Sequence, residues 1–243
     1  MEKRPLIGIL GGMGTAAGIH FQNLLFDVCN EKGICGDQDY PEWIYFNAAL
    51  APDRTEALLG RGPSPEEYLV SVLKRMQSAG VDIIAAVCNT VHSFHDAIFV
   101  QVPIPWIDLQ KETAKAVQRA GFSSAALMST EGTLKSGLFK KAFQPLGIDY
   151  QEPHPDSDIQ RKITDAIYDR EYGIKYTGSR ISTTAERLLL EAAAQFNSDV
   201  IIAGCTELSF VFPDLKLERV WIDPLKIAAE TCFNIWKGER QCC

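Results

Sequence analysis

Residues 82–88 read DIIAAVC and residues 199–205 read DVIIAGC. The two stretches align without a gap, so Cys205 repeats Cys88 after 117 residues. The same offset carries Leu73 onto Leu190, and Ile9 and Leu10 onto Ala126 and Leu127. An internal repeat at one fixed spacing carries more weight than any single motif. It predicts two similar halves, each about half of the 243-residue chain.

Outward from these stretches, short apolar runs alternate with longer amphipathic ones. Residues 6–10, 43–46 and 81–87 read as strands, with helices over 16–30 and 65–77. Glu66 and Glu67 fall in the first turn of the second helix, where the dipole favours acids. In the other half, 124–128 and 200–203 read as strands and 185–196 as a helix. This alternation predicts an α/β fold of two pseudo-symmetric halves, each a parallel sheet flanked by helices. The predicted domains are 1–108 with 213–243, the C-terminal helix returning to the first half, and 109–212. Open α/β sheets bind ligands beyond the carboxyl ends of their strands, which places the expected active site in the cleft between the halves.

Composition narrows the class. The formal net charge is −7 and there is no long Lys/Arg block, which argues against a nucleic-acid partner. Seven cysteines lie on irregular spacings without a CxxC, which fits a reducing, cytoplasmic setting better than a disulfide framework. The opening MEKRPLIGILGG imitates a signal peptide, but its apolar run is short and breaks at Gly11-Gly12, so it reads as a first strand. No apolar stretch approaches the roughly 18 residues that a membrane span needs.

A lone cysteine at the end of an apolar strand is most often a small buried hydrophobe. Two features favour chemistry here. Cys88 is followed by Asn89-Thr90 and Cys205 by Thr206-Glu207, residues that suit helix caps better than strand interiors. At a helix N-terminus the dipole and free N–H groups lower a thiol's pKa and supply an anion site. Core packing also gives no reason for a cysteine and a threonine to recur in both copies. Two thiols on opposite faces of one tetrahedral carbon suit proton removal on one face and return on the other, which inverts the centre. With each sulfur roughly 3 to 3.5 Å from that carbon, the pair would stand about 7 Å apart, too far for a disulfide.

The sequences GILGGMG at 8–14, APDRT at 51–55, CNT at 88–90, STEGT at 129–133 and GCTEL at 204–208 resemble, in this order, the cofactor-independent aspartate/glutamate racemases, on the aspartate racemase side. The resemblance implies a two-domain α/β fold, commonly a homodimer, and catalysis by a cysteine pair with no pyridoxal phosphate, other cofactor or metal. It implies a small dicarboxylic amino acid, aspartate or glutamate, as substrate. The proton-transfer pair falls on Cys88 and Cys205. Substrate-binding positions fall on Met13, Asn47, Arg54, Asn89, Thr90, Thr130, Lys175, Thr206 and Glu207. Arg54 would grip the distal carboxylate bidentately, and Asn89, Thr90, Thr130 and Thr206 would hold the α-carboxylate as charge develops there. Thr15 stands where the family usually has proline, and as an N-cap residue it suits that place. Glutamate racemases usually carry a DSG-type sequence after the first strand, so GGMG points to aspartate.

Other readings compete. Gly12-x-Gly14-x-x-Ala17 satisfies the dinucleotide fingerprint, yet Phe46-Asn47-Ala48 offers no acid for a ribose at the end of the second strand. Related folds run decarboxylation and other isomerisations with one or two of these cysteines, and a silent amino-acid-binding module would look the same. Cys88, His92 and His95 on one presumed helix suggest a thiol–imidazole pair or a metal, but no second cluster completes a ligand set. Cys29, Cys35 and Cys232 read as structural, and Cys242-Cys243 as a tail.

Overall fold

The computed structural model describes residues 4–178 and 180–239; the Cys242-Cys243 tail lies outside them. In chain order the first elements are β1 (Ile7–Gly11), α1 (Thr15–Glu31), β2 (Trp43–Asn47), α2 (Arg54–Leu58), α3 (Glu66–Ser78), β3 (Ile83–Ala86), α4 (His95–Phe99) and α5 (Leu109–Arg119). There follow β4 (Ser124–Met128), α6 (Glu131–Ser136), α7 (Leu138–Phe143), β5 (Asp149–Gln151), α8 (Asp158–Tyr168), α9 (Ile174–Thr177) and α10 (Thr183–Ala193). The chain ends with β6 (Val200–Ala203), α11 (Thr206–Val211), β7 (Val220–Ile222) and α12 (Pro224–Trp236).

The chain divides into two compact units. One runs to Leu109 and takes back the chain from Leu225; the other is Gln110–Pro224. In the first, a parallel sheet has the order β2-β1-β3. In the second the parallel order is β5-β4-β6-β7. An isolated parallel bridge from Ile84 to Trp106 occupies, beside β3, the place that β7 holds beside β6. The 117-residue offset maps β1 onto β4 and β3 onto β6 end for end, and the start of α3 onto that of α10. The ladder register between these strands departs by one residue, since Ile7 pairs with Ile83 but Ala125 with Val200.

Continuous apolar strands follow from cover on both sheet faces. In the second unit Ala126, Met128, Ile201 and Ala203 pack with α8, α10 and α11. Alternate residues Ala125, Leu127, Val200 and Ile202 pack with Ala114 and Val117 of α5 and with Phe139 and Phe143 of α7. In the first unit Leu10, Ile84 and Ala86 join the buried stripe Leu69, Val72, Leu73 and Met76 of α3. Four helices, α2, α6, α8 and α10, start on a side-chain cap: Asp53, Thr130, Ser157 and Ser182 each accept from the backbone N–H three residues on. Thr15 is not a cap; Gly14 holds that position and Thr15 is the exposed first residue of α1. That first-turn place is one proline also suits, because its N–H needs no helical partner.

Candidate active site

In the first unit the carboxyl ends of the three parallel strands lie side by side, Gly11 beside Asn47 and Leu10 beside Ala86. The loops that follow therefore meet at one sheet edge. Gly12 takes φ +87°, and a Cβ there would stand 2.4 Å from the Ala48 nitrogen. Glycine is needed because the β1–α1 loop presses on the backbone after β2, which accounts for the first glycine of the dinucleotide-like motif.

Arg54 is buried and spans these loops. Its Nη2 donates to the Met13 carbonyl at 2.9 Å, and its Nη1 to those of Ala51 at 3.3 Å and Pro52 at 3.1 Å. Met13 thus meets the arginine through its backbone, while its side chain lies in the core beside Ala48, Ala51 and Cys88. Asn47 is exposed and accepts the Tyr45 hydroxyl at 3.3 Å.

Beyond β3, Cys88, Asn89 and Thr90 are all buried. Among the described residues the Cys88 thiol makes no hydrogen bond. The sequence predicts a helix carrying Cys88, His92 and His95 together. Instead Asn89 caps a short 3-10 segment, Thr90–Phe94, and α4 begins only at His95. Cys88 and His92 do not share an α-helical turn. The His92 ring bonds the Ala86 carbonyl and stands edge-on to Trp106 at 5.6 Å. Burial pulls its pKa down to about 4 against the opposing pull of Asp108, so the ring is neutral at physiological pH. Among the described residues, no group of three or more His, Cys, Asp or Glu side chains could hold a metal ion.

In the second unit the equivalent ends are Met128 and Ala203, which pair directly. Thr130 is buried and caps α6, with its hydroxyl 3.2 Å from that of Thr133. Gly204 donates to the Met128 carbonyl at 2.8 Å, and a Cβ on it would meet Leu127 Cδ1 at 2.3 Å. Only glycine lets Cys205 follow so closely, and Cys205 is the N-cap of α11.

Cys205, Thr206 and Glu207 are buried and form one cluster with the partly buried Lys175. The Cys205 thiol donates to Glu207 Oε2 at 2.9 Å, and the Thr206 hydroxyl donates to the same oxygen at 3.2 Å. Lys175 Nζ pairs with Glu207 Oε1 and lies 5.4 Å above the Tyr168 ring. Burial works against the charge on Lys175, but Glu207 and Cys205 outweigh it and raise the ammonium's pKa. Burial also works against the Glu207 carboxylate; Lys175 and the thiol hydrogen bond prevail and lower its pKa.

The thiol reverses an expectation. A helix N-terminus predicts a lowered pKa, yet burial and then Glu207 push Cys205 well above the ordinary thiol value, with Lys175 pulling the other way. Cys205 is a protonated thiol.

One supporting residue carries no family motif. Gln160 is fully buried and its Nε2 donates to the Ser129 carbonyl at 3.0 Å and to Thr164 Oγ1 at 3.1 Å, which fixes the turn before Thr130. Its signal is a polar residue on the buried stripe Ile163, Ala166, Ile167 of α8. Cys29 and Cys232 are buried, as structural cysteines should be, whereas Cys35 is exposed and has no place in the core.

A family model described as Asp/Glu/Hydantoin racemase matches residues 10–232. The broad specificity amino-acid racemase RacX of Bacillus subtilis is 26% identical over 232 residues, 95% of this chain and 98% of that protein. Among solved structures, the Picrophilus torridus aspartate racemase superposes with a TM-score of 0.79 at 22% identity, covering 96% of this chain and 94% of that one. A glutamate racemase from Francisella tularensis, in complex with D-glutamate, gives 0.71 at 16% identity, covering 98% and 83%. At these identities the superpositions establish a shared fold.

Proposed function

The chain is an enzyme of the Asp/Glu/hydantoin racemase family, and we propose that it interconverts the enantiomers of a small amino acid by proton transfer between Cys88 and Cys205, without pyridoxal phosphate. The observation that carries this reading is the Cys205 thiol, buried at a strand end with its proton directed by Glu207, at the repeat position of Cys88.

In this reaction one sulfur, as thiolate, takes the α-hydrogen as a proton while the other, as thiol, supplies one to the opposite face. The electron pair released at Cα spreads into the α-carboxylate, which becomes more negative as the proton leaves. Fixed donors aimed at that group are worth most in a dry site. Asn89, Thr90 and Thr130, all buried beyond strand ends, are the side chains assigned to this task, whereas the Thr206 hydroxyl is already given to Glu207. Poised acids and bases of this kind contribute roughly 10²–10⁴-fold each.

The substrate proposed first is aspartate or glutamate, with Arg54 taking the distal carboxylate while also tying the loops at Met13 and Ala51. A second reading, a wider amino-acid range, has its own support. Lys175 is matched by Glu207, and Arg54 already serves three backbone carbonyls, so neither stands as a cation dedicated to a second carboxylate.

The test is α-proton exchange in D2O, followed by proton NMR and chiral chromatography, over acidic, neutral and basic amino acids with no added cofactor. Exchange with inversion confined to aspartate and glutamate supports the first reading, and exchange across the panel the second. No exchange with any amino acid rejects both.

A further inference from the structure

Glu207 is expected from the family resemblance to bind substrate, but both of its oxygens are directed at the protein. Oε2 receives the Cys205 thiol and the Thr206 hydroxyl, and Oε1 receives Lys175. The carboxylate side chain is 4% exposed and the lysine 18%, so the pair is shielded from water. A carboxylate held by an ammonium is a poor base. The proton therefore stays on sulfur, held toward Oε2 in the resting form and turned from Oε2 to the substrate carbon when it is donated.

We infer that Glu207 and Lys175 are positioning residues for Cys205, keeping it in the thiol form so that Cys205 is the proton donor of the resting enzyme. This inference rests on the racemase reading. Cys88, as thiolate, takes the α-hydrogen: the Cα–H bond breaks, an S–H bond forms, and the electron pair remains on the substrate. The Cys205 S–H bond then breaks, its proton forms the new Cα–H bond, and its electron pair stays on sulfur. The thiolate so formed lies next to the Glu207 carboxylate, and the Lys175 ammonium offsets that repulsion. Net, one proton has moved from Cys205 to Cys88, and exchange with solvent restores the resting form. The charged or titratable groups around the thiol are Glu207 of α11, Lys175 of α9 and, behind the lysine, Tyr168 of α8. Removing the carboxylate leaves only the ammonium next to sulfur, and the thiolate is then favoured.

Because the two enantiomers are equal in energy, kcat/KM is equal in both directions for every variant, so the signature must be read at the thiol. The experiment is the pH profile of iodoacetamide alkylation, resolved by peptide mass spectrometry, for the wild type, Glu207→Gln, Glu207→Asp and the double variant Glu207→Gln/Lys175→Met. In Glu207→Gln the Cys205 rate at neutral pH should rise about tenfold or more, with its midpoint moved to lower pH, since the thiolate is the reactive form. The double variant should return toward wild type, and Glu207→Asp should keep the wild-type midpoint. Cys88 serves as the internal reference, and circular dichroism checks that each variant folds. A Cys205 profile that superimposes on wild type in Glu207→Gln, or that is shifted equally in the double variant, overturns the inference. A raised KM with an unmoved profile does the same and returns Glu207 to substrate binding. Failure of the racemase reading shows separately, as no α-proton exchange in the wild type while the alkylation shift persists.

Discussion

Asp199 accepts the backbone N–H of Ser123 at 2.8 Å, and 117 residues earlier Asp82 accepts that of Leu6 at the same distance. The repeat therefore extends to a single hydrogen bond that pins the start of β1 to the entry of β3 and the start of β4 to the entry of β6. Asp199 accepts two further bonds, from the Ser123 hydroxyl at 2.7 Å and the Ser124 N–H at 2.9 Å. Led by the Ser123 hydroxyl, these bonds hold its carboxyl at a pKa of about 2, below the ordinary 3.8. Its folded value is depressed, so its contribution is full above pH 4 and is lost as pH falls from about 4 to about 2. Asp199→Asn should lower the melting temperature at neutral pH and flatten the acid limb in that window. An unchanged acid limb in a thermal scan series would count against this account.

His92 gives a second, separate limb. Its folded pKa of about 4 lies below the ordinary 6.5 because burial disfavours the charged ring. The unfolded chain binds the proton first, so stability declines as pH falls from 6.5 toward 4. Replacing His92 with glutamine should remove this slope, read from urea midpoints at pH 7, 5.5 and 4.5. Parallel slopes for variant and wild type would refute it.

Lys175→Met leaves the Glu207 charge buried without its partner, which should destabilise the chain by about 3–5 kcal/mol in urea denaturation. Adding Glu207→Gln should recover more than half of that, because the pair is then replaced by neutral groups. A double variant no more stable than Lys175→Met would show that the loss comes from packing alone.

Cys88→Ala and Cys205→Ala should each lower racemisation by roughly 10²–10⁴-fold, since each removes one of the two proposed proton-transfer groups. Chiral chromatography measures this directly. Wild-type turnover in either variant would eliminate the two-thiol mechanism.

At Gly12 an alanine meets both a positive φ and the Ala48 backbone at 2.4 Å. Gly33 also has positive φ, +84°, but nothing lies within 4 Å of a Cβ placed there. Gly12→Ala should cost about 1–3 kcal/mol more than Gly33→Ala and reduce activity by displacing the loop that Arg54 ties. Equal effects on stability would show that the Ala48 contact is dispensable.

The sequence alone determined the repeat, and the repeat determined most of the architecture. Identical spacing placed β1 with β4 and β3 with β6, and continuous apolar runs required strands covered on both faces, so Cys88 and Cys205 had to end equivalent strands. Periodicity carries such information because strand and helix patterns are local. β5 and β7, three residues each, were too short to be read, and the one-residue change of register left no trace in the alternation. Only the tertiary structure decided where the polar side chains are directed. Lys175 meets Glu207 across 32 residues, Arg54 meets the Met13 carbonyl across 41, and Asp199 meets Ser123 across 76. No local pattern encodes partners so far apart along the chain. Burial then sets the sign: a cysteine at a helix start reads from sequence as an activated thiolate, and enclosure beside Glu207 makes it a protonated thiol.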